Sequence, residues 1–275
     1  LYRKMGAFEK AEQHLIDAKR ILDKSQNWPR NREPDNENWS VSMGMLQHAM
    51  GRYDEAERLL KDVLKKQEPH QDKGERPQRF FATTVSLYAS TCTALGDYEK
   101  AKTYFLKALE LRKALFGPMH PHVAASLYEL GQLGMACEDF VAAQEAYRES
   151  ADIRAETLGE THPLYADSLA ALAECCCYQS CRGGKEADEG YLRALELLLQ
   201  VGQIRMKTIS TVLSTVSESR RFAYLRTVEN SLHLMISLVL GPLCSLPLAR
   251  RAAMDAVLRW KGITFDAQVA EEQDD

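Results

Sequence analysis

No stretch of this chain is apolar for the roughly 20 residues that a membrane-spanning helix needs. The run that comes nearest, Leu232 to Ala249, has eighteen residues without Asp, Glu, Lys or Arg. It is broken by Gly241-Pro242 and Pro247 and diluted by His233, Ser237 and Ser245. It reads as a buried helix, a turn and the start of another helix, so no membrane partner is expected. Basic excess is also lacking: 35 Lys and Arg stand against 39 Asp and Glu, a net charge of −4. A nucleic-acid partner is therefore not expected. There is no ladder of evenly spaced cysteines. The seven present are an odd number, and four of them crowd between Cys175 and Cys181. That pattern predicts reduced thiols and a cytoplasmic protein. The first residues do not read as a signal peptide, and Leu1 stands inside a helical pattern, which predicts a piece of something longer. What remains is 45% apolar and 27% charged, the balance of a globular protein.

The strongest positive signal is self-similarity. Gly117–Leu130 recurs as Gly159–Leu172, with seven of fourteen positions identical at an offset of 42. A second landmark, Gly-x-aromatic-x-x-Ala, appears as Gly6/Phe8/Ala11, Gly51/Tyr53/Ala56 and Gly96/Tyr98/Ala101. The fourth copy is Glu138/Phe140/Ala143, and a degenerate fifth lies around Gly184 and Ala187. These alanines step by 45, 45, 42 and 44 residues.

Each unit reads as two helices. Upstream of the glycine lies a small residue beside a large one: Met43-Gly44, Tyr88-Ala89, Leu130-Gly131, Leu172-Ala173. Small side chains there let the next helix lie close. Beyond each landmark alanine, large and small residues fall at i+4 and i+7 on one face, as at Leu60 and Val63 or Tyr147 and Ser150. The glycine occupies the inter-helix turn, where positive φ is tolerated. Gly117 and Gly159 read as helix C-caps, and Pro121 and Pro163 stand where the next helix begins. Segments 26–37 and 67–77, rich in Pro, Asn and charge, read as long mobile loops.

This pattern resembles the tetratricopeptide repeat. The spacing of 42 and the stretch Leu158-Gly-Glu-Thr-His-Pro163 are similar to the kinesin light chain subtype over roughly residues 1–200. The resemblance implies an all-α fold, a right-handed superhelical solenoid of about four and a half helix pairs. Residues 201–275 lack the landmarks. They are expected to form a helical cap over the end of the array, because a terminal repeat exposes an apolar face. A helix is predicted at 204–216, an apolar one from Ser217 to Leu240 and a third from about Pro247 to Lys261, with a weak strand at 263–267. The stretch Ala253-Met-Asp-Ala-Val-Leu-Arg-Trp-Lys-Gly262, with the helix before it, looks like the lead-in to CHAT (caspase-like protease) domains.

Four constellations invite chemistry. Cys175, Cys176, Cys177 and Cys181 suggest zinc, yet no second Cys/His pair stands at a fitting spacing; the favoured reading is packed free thiols. His120, His122 and His162 recur at the heads of units, which favours a structural role at helix starts. His233 and Cys244 lack a recognisable oxyanion hole. Gly183-Gly184-Lys185 lacks the upstream glycine and following Ser or Thr of a phosphate loop. Trp28, Trp39 and Trp260 read as packing or anchoring aromatics. No cofactor and no catalytic site are expected.

By repeat register, the face lined by the first helices is expected to offer Asn38, Val41, Met45 and His48, then Thr83, Ser86, Ser90 and Thr93. The next units add Ala125, Tyr128, Gln132 and Met135, then Asp167, Ala170, Glu174 and Cys177. The resemblance implies that this groove takes an extended peptide or protein partner. The alternative occupant is another part of the same protein, such as its own C-terminal domain. Two functions are expected: the non-catalytic sensing or scaffold region of a larger CHAT-type protease, or a free-standing kinesin-light-chain-like adaptor. In the first, segment 201–262 relays partner binding, with Phe222, Leu225, Leu232 and Ile236 touching the array.

Overall fold

The computed structural model describes residues 8–24, 33–67, 75–182, 187–213 and 230–259. Every regular element among them is helical, as the repeat pattern requires. Helices α1 (Phe8–Lys24), α2 (Glu33–Ala49), α3 (Tyr53–Gln67), α4 (Glu75–Ala94) and α5 (Tyr98–Phe116) belong to one compact unit, Leu1–Pro118. A second unit, Met119–Asp275, holds α6 (Pro121–Ala136), α7 (Phe140–Leu158), α8 (Pro163–Cys181) and α9 (Ala187–Leu213), then α10 (230–240) and α11 (247–259). From α1 to α9, each helix packs chiefly on its sequence neighbours within its unit. That is the contact pattern of a stacked helical repeat.

The turns show why the repeat landmarks recur. Gly51 and Gly96 have φ of 78° and 83° and close α2 and α4. Their N–H groups bond back to His48 and Thr93 carbonyls at 3.0 Å, and the next N–H groups, of Arg52 and Asp97, bond to Gln47 and Cys92 at 2.9 Å. This pair of bonds satisfies the last helical carbonyls and requires the left-handed conformation. Glu138 adopts it too, at φ 60°, with the same two bonds to Met135 and Gly134. The following aspartate opens the next helix: Asp97 and Asp139 accept from the N–H groups of Lys100 and Ala142 at 3.3 and 3.2 Å. At the other junctions Gly117 and Gly159 end α5 and α7, and His120 and His162 take over as N-caps. Each imidazole Nδ1 accepts a backbone N–H two residues on, at 3.1 Å, ahead of a proline at the first helical position. His120 and His162 thus serve the helix starts, as their position in the repeat predicted.

Packing follows the small residues. A Cβ on Gly44 would meet Leu60 at 3.0 Å, one on Gly134 would meet Ala143 at 3.0 Å, and one on Gly131 would meet the Tyr147 ring at 2.5 Å. Ala56, Ala101 and Ala143 are fully buried. Between α6, α7 and α8, polar groups are buried but paired. Ser150 donates to the Ala124 carbonyl at 2.8 Å, and Arg154 donates to the Leu164 carbonyl and to Ser168 Oγ, both at 2.8 Å.

Three expectations change. The prolines at 34 and 77 do not mark loops: α2 starts at Glu33 and α4 at Glu75, so both lie in a first helical turn, where a missing N–H costs nothing. The separate helix expected from 204 does not begin there. Helix α9 runs unbroken from Ala187 to Leu213, and the boundary expected at residue 200 lies inside it. Segment 26–32, segment 68–74, Phe222, Leu225, Trp28, Trp260 and the strand at 263–267 lie outside the described residues. The cap itself is present. Met235, Leu238 and Val239 of α10 and Ala249 and Ala253 of α11 share one apolar cluster with Ala173, Cys176, Cys177, Ala194, Leu195 and Leu198 of α8 and α9. Leu243, in the turn between α10 and α11, is 1% exposed at its centre, and Leu232 packs on its edge.

Gly131→Ala should destabilise the chain by about 1–3 kcal/mol in urea denaturation, because overpacking against Tyr147 outweighs the gain in helix propensity. Leu243→Ala should cost about 2–5 kcal/mol by the same measurement, through the cavity left in the cap. A third outcome concerns thiols. Cys92, Cys175, Cys176 and Cys177 are buried while Cys137, Cys181 and Cys244 are exposed. Burial pushes Cys92 up to about 11, and Cys175 and Cys177 up to about 12, from an ordinary value of 9.0. At pH 8 a thiol reagent should label the three exposed cysteines quickly and the four buried ones only on unfolding. Since the unfolded chain gives up the buried protons first, this stabilisation is whole below pH 9 and is lost as pH climbs toward 12. Alkaline denaturation curves check the sign.

Candidate partner-binding faces

The second helix of each repeat covers one side of the first and leaves the other open. On α2 the uncovered positions are Asn38, Ser42 and Ala49, which are exposed, and Met45, which is half-buried. One repeat on, in α4, the same register gives Thr83 and Ala94 exposed with Leu87 and Ser90 half-buried. These positions step by four, three and four, which keeps them on one helical stripe. In the second unit the equivalent residues are Ala125, Glu129, Gln132 and Ala136 on α6, then Asp167, Ala171, Glu174 and Tyr178 on α8. Gln132, Ala136, Glu174 and Tyr178 are exposed and the others half-buried.

Several residues expected on this face are turned inward. Val41 is 4% exposed, Ser86 3% and Cys177 7%, so all three belong to the helix packing. His48, Thr93, Tyr128, Met135 and Ala170 are half-buried at its edge. Ser42, Leu87, Glu129 and Ala171 were missed. In α2 the signal was legible, since Val41 is apolar and Ser42 polar. In α4 it is reversed, with polar Ser86 buried and apolar Leu87 half-buried, so pattern alone could not find it.

The face in the first unit is built from satisfied hydroxyls. Thr83 and Ser90, with Thr93 at the edge, each donate to the carbonyl four residues back, at 3.1 Å. A hydroxyl bonded this way keeps oxygen lone pairs for an incoming N–H. His48 Nδ1 lies 3.2 Å from Thr91 Oγ1 and so ties α2 to α4, and burial lowers its basicity.

The face in the second unit is charged. Asp167 Oδ1 accepts from Arg205 Nη2 at 2.9 Å, and that arginine side chain is only 5% exposed. Arg205 also donates to Ser231 on α10, so one guanidinium joins α8, α9 and the cap. The Arg154 guanidinium lies 4.9 Å from the Tyr128 ring, which in turn lies 5.3 Å from Tyr147. Burial pushes the Tyr128 phenol up, and the Asp167 carboxylate adds to it. Among the described residues no three His, Cys, Asp or Glu side chains are grouped to hold a metal ion. Cys175 donates to the Phe140 carbonyl and Cys176 accepts from Gln144, as packed thiols do. His233 and Cys244 are both exposed, on α10 and in the turn after it. Trp39 anchors α2 by donating to the Leu15 carbonyl at 2.7 Å. No helix among the described residues is long and apolar enough to cross a membrane.

Comparison with known proteins agrees with this geometry. Profiles of the tetratricopeptide repeat match residues 41–72, 80–136 and 123–164. No curated protein sequence matches significantly. Among solved structures, a Podospora anserina putative kinesin light chain with nearly identical TPR-like repeats superposes with a TM-score of 0.57 at 20% identity, covering 85% of this chain and 98% of that one. BtubC (BKLC) from P. vanneervenii gives 0.50 at 16% identity, over 85% and 91%. A Rap protein complexed with competence and sporulation factor gives 0.53 at 15% identity, over 97% and 74%. At these identities the likeness is one of fold. The chain thus carries tandem tetratricopeptide repeats, folded like those of kinesin-light-chain arrays and closed by a helical cap.

Proposed function

We propose that this chain is the non-catalytic, partner-binding region of a larger tetratricopeptide–CHAT protein. It takes an extended peptide or protein segment along the open faces of its first helices. The observation that carries this is the recurrence of one uncovered stripe in four successive repeats, at 38/42/45/49 and its three equivalents. Within each unit, a face kept open at the same register, with hydroxyl acceptors in the first and carboxylates in the second, suits a main chain in extended form. The Rap protein of similar fold, solved with competence and sporulation factor bound, supports a ligand-binding role for such arrays.

The CHAT context rests on the sequence Ala253–Gly262 and the apolar helix before it, and the cytoplasmic location rests on the reduced thiols. The second reading, a free-standing adaptor, draws on the kinesin light chain likeness. Reading the coding sequence beyond Asp275 separates them. A strand-rich segment bearing a His and a Cys supports the protease context, and a stop codon the adaptor.

The groove is tested by selecting peptides from a displayed library against the whole chain and measuring affinity by fluorescence polarisation. Ser90→Arg and Gln132→Arg should each weaken a selected peptide about tenfold or more. Lys102→Glu, on the exposed side of α5, should leave binding unchanged. Equal affinity in all three variants removes the groove as the binding surface.

A further inference from the structure

Helices α9, α10 and α11 do not close completely on one another. Within the cap they leave a cavity of about 550 Å³, a size typical of small-molecule sites. Leu198 and Met206 from α9, Leu232 and Met235 from α10 and Ala256 from α11 give it apolar walls.

Gly202 distinguishes this space from a simple packing gap. Gly44, Gly131, Gly134 and Gly190 also lie inside helices, and a Cβ on any of them would meet a neighbouring atom within 3.0 Å. Those glycines serve close helix approach. Gly202 lines the cavity, and a Cβ there would meet nothing within 4 Å. Glycine inside a helix is unfavourable relative to alanine. At position 202 no helix crossing offsets that cost, and what the missing side chain leaves is room.

The polar groups specify what the cavity accepts. Lys207, Asp255 and Arg259 also line it, but all three are exposed. In the high dielectric of water such charges attract an ion only weakly. Arg205 is the one buried charge among the lining residues. Its guanidinium is already committed, to Asp167 at 2.9 Å and to Ser231. A charged head group drawn inside would therefore lose its water without gaining a counter-ion. Ser231, half-buried on the wall, offers something else. Its Oγ accepts from Arg205, which leaves the hydroxyl hydrogen to donate. Apolar walls with one such donor complement a hydrocarbon bearing one acceptor oxygen. We infer that the cap binds an uncharged amphiphile, a hydrocarbon carrying a single alcohol, ketone or ester group. Its hydrocarbon lies between Leu198, Leu232 and Met235, and its oxygen faces Ser231. Neither the repeats nor the groove requires such a ligand.

The test is titration calorimetry of the whole chain at pH 8 with 1-decanol, decanoate and decyltrimethylammonium, each kept monomeric in solution. 1-Decanol should bind saturably at one site per chain, at least about tenfold more tightly than either ion. Gly202→Leu, which fills the space, should abolish binding without lowering the thermal midpoint. Ala256→Met fills it from α11 and serves if the first variant fails to fold. Ser231→Ala, which removes the donor, should weaken the alcohol about fivefold. The inference is overturned if 1-decanol shows no saturable binding or if either ion binds as tightly. It is equally overturned if the filled variants or Ser231→Ala bind the alcohol as the parent does. Peptide affinity at the groove is read separately, so a failure here leaves that proposal standing.

Discussion

Tyr147 lies so close to Gly131 that no side chain fits between α6 and α7, and Gly44 against Leu60 and Gly134 against Ala143 repeat the contact elsewhere. This close crossing of first and second helices is the constraint on which the rest depends. It buries the landmark alanines and draws each second helix over one side of its partner. The opposite side of the first helix is left uncovered in consequence. An open binding face is thus a by-product of where the small residues stand.

The crossing needs a turn that reverses the chain in very few residues. The left-handed residue closes one helix and the next residue opens another, so Gly96-Asp97 performs both tasks in two positions. Glu138-Asp139 does the same with a residue that pays a conformational penalty. Glu138 pairs with Arg182, whose guanidinium also lies over Phe140, so the strained position is fastened to the following repeat. Surface pairs of this kind are worth little singly; here the pair ties a turn in place.

Buried arginines do the work between helices that apolar contact cannot. Arg154 is 5% exposed and bridges α7 to α8 through a carbonyl and a hydroxyl, with Tyr128 beneath it. Arg205 reaches from α9 to Asp167 and Ser231. Removing a partner from such a group leaves a charge with poor access to water, so both positions fix geometry more than they add stability. Their shared neighbourhood on the second unit gives it an ionic character, whereas the face of the first unit is set by hydroxyls.

Sequence alone determined the helical repeat, its period, the turn glycines, the capping histidines and prolines, and the need for a cap. Each of these rests on interactions within a few residues or on a periodic pattern, which a linear chain displays. It did not reveal that Pro34 and Pro77 belong to first helical turns, because proline is a breaker or a starter depending on what precedes it. Nor did it show that Ser86 is buried while Leu87 is only half-buried, since the packing of the neighbouring helices, not side-chain polarity, decides which of two adjacent positions is covered. Gly202 reads like any other mid-helix glycine. Whether a glycine serves contact or space depends on atoms more than thirty residues away, and only the packing of α10 and α11 around α9 decided that.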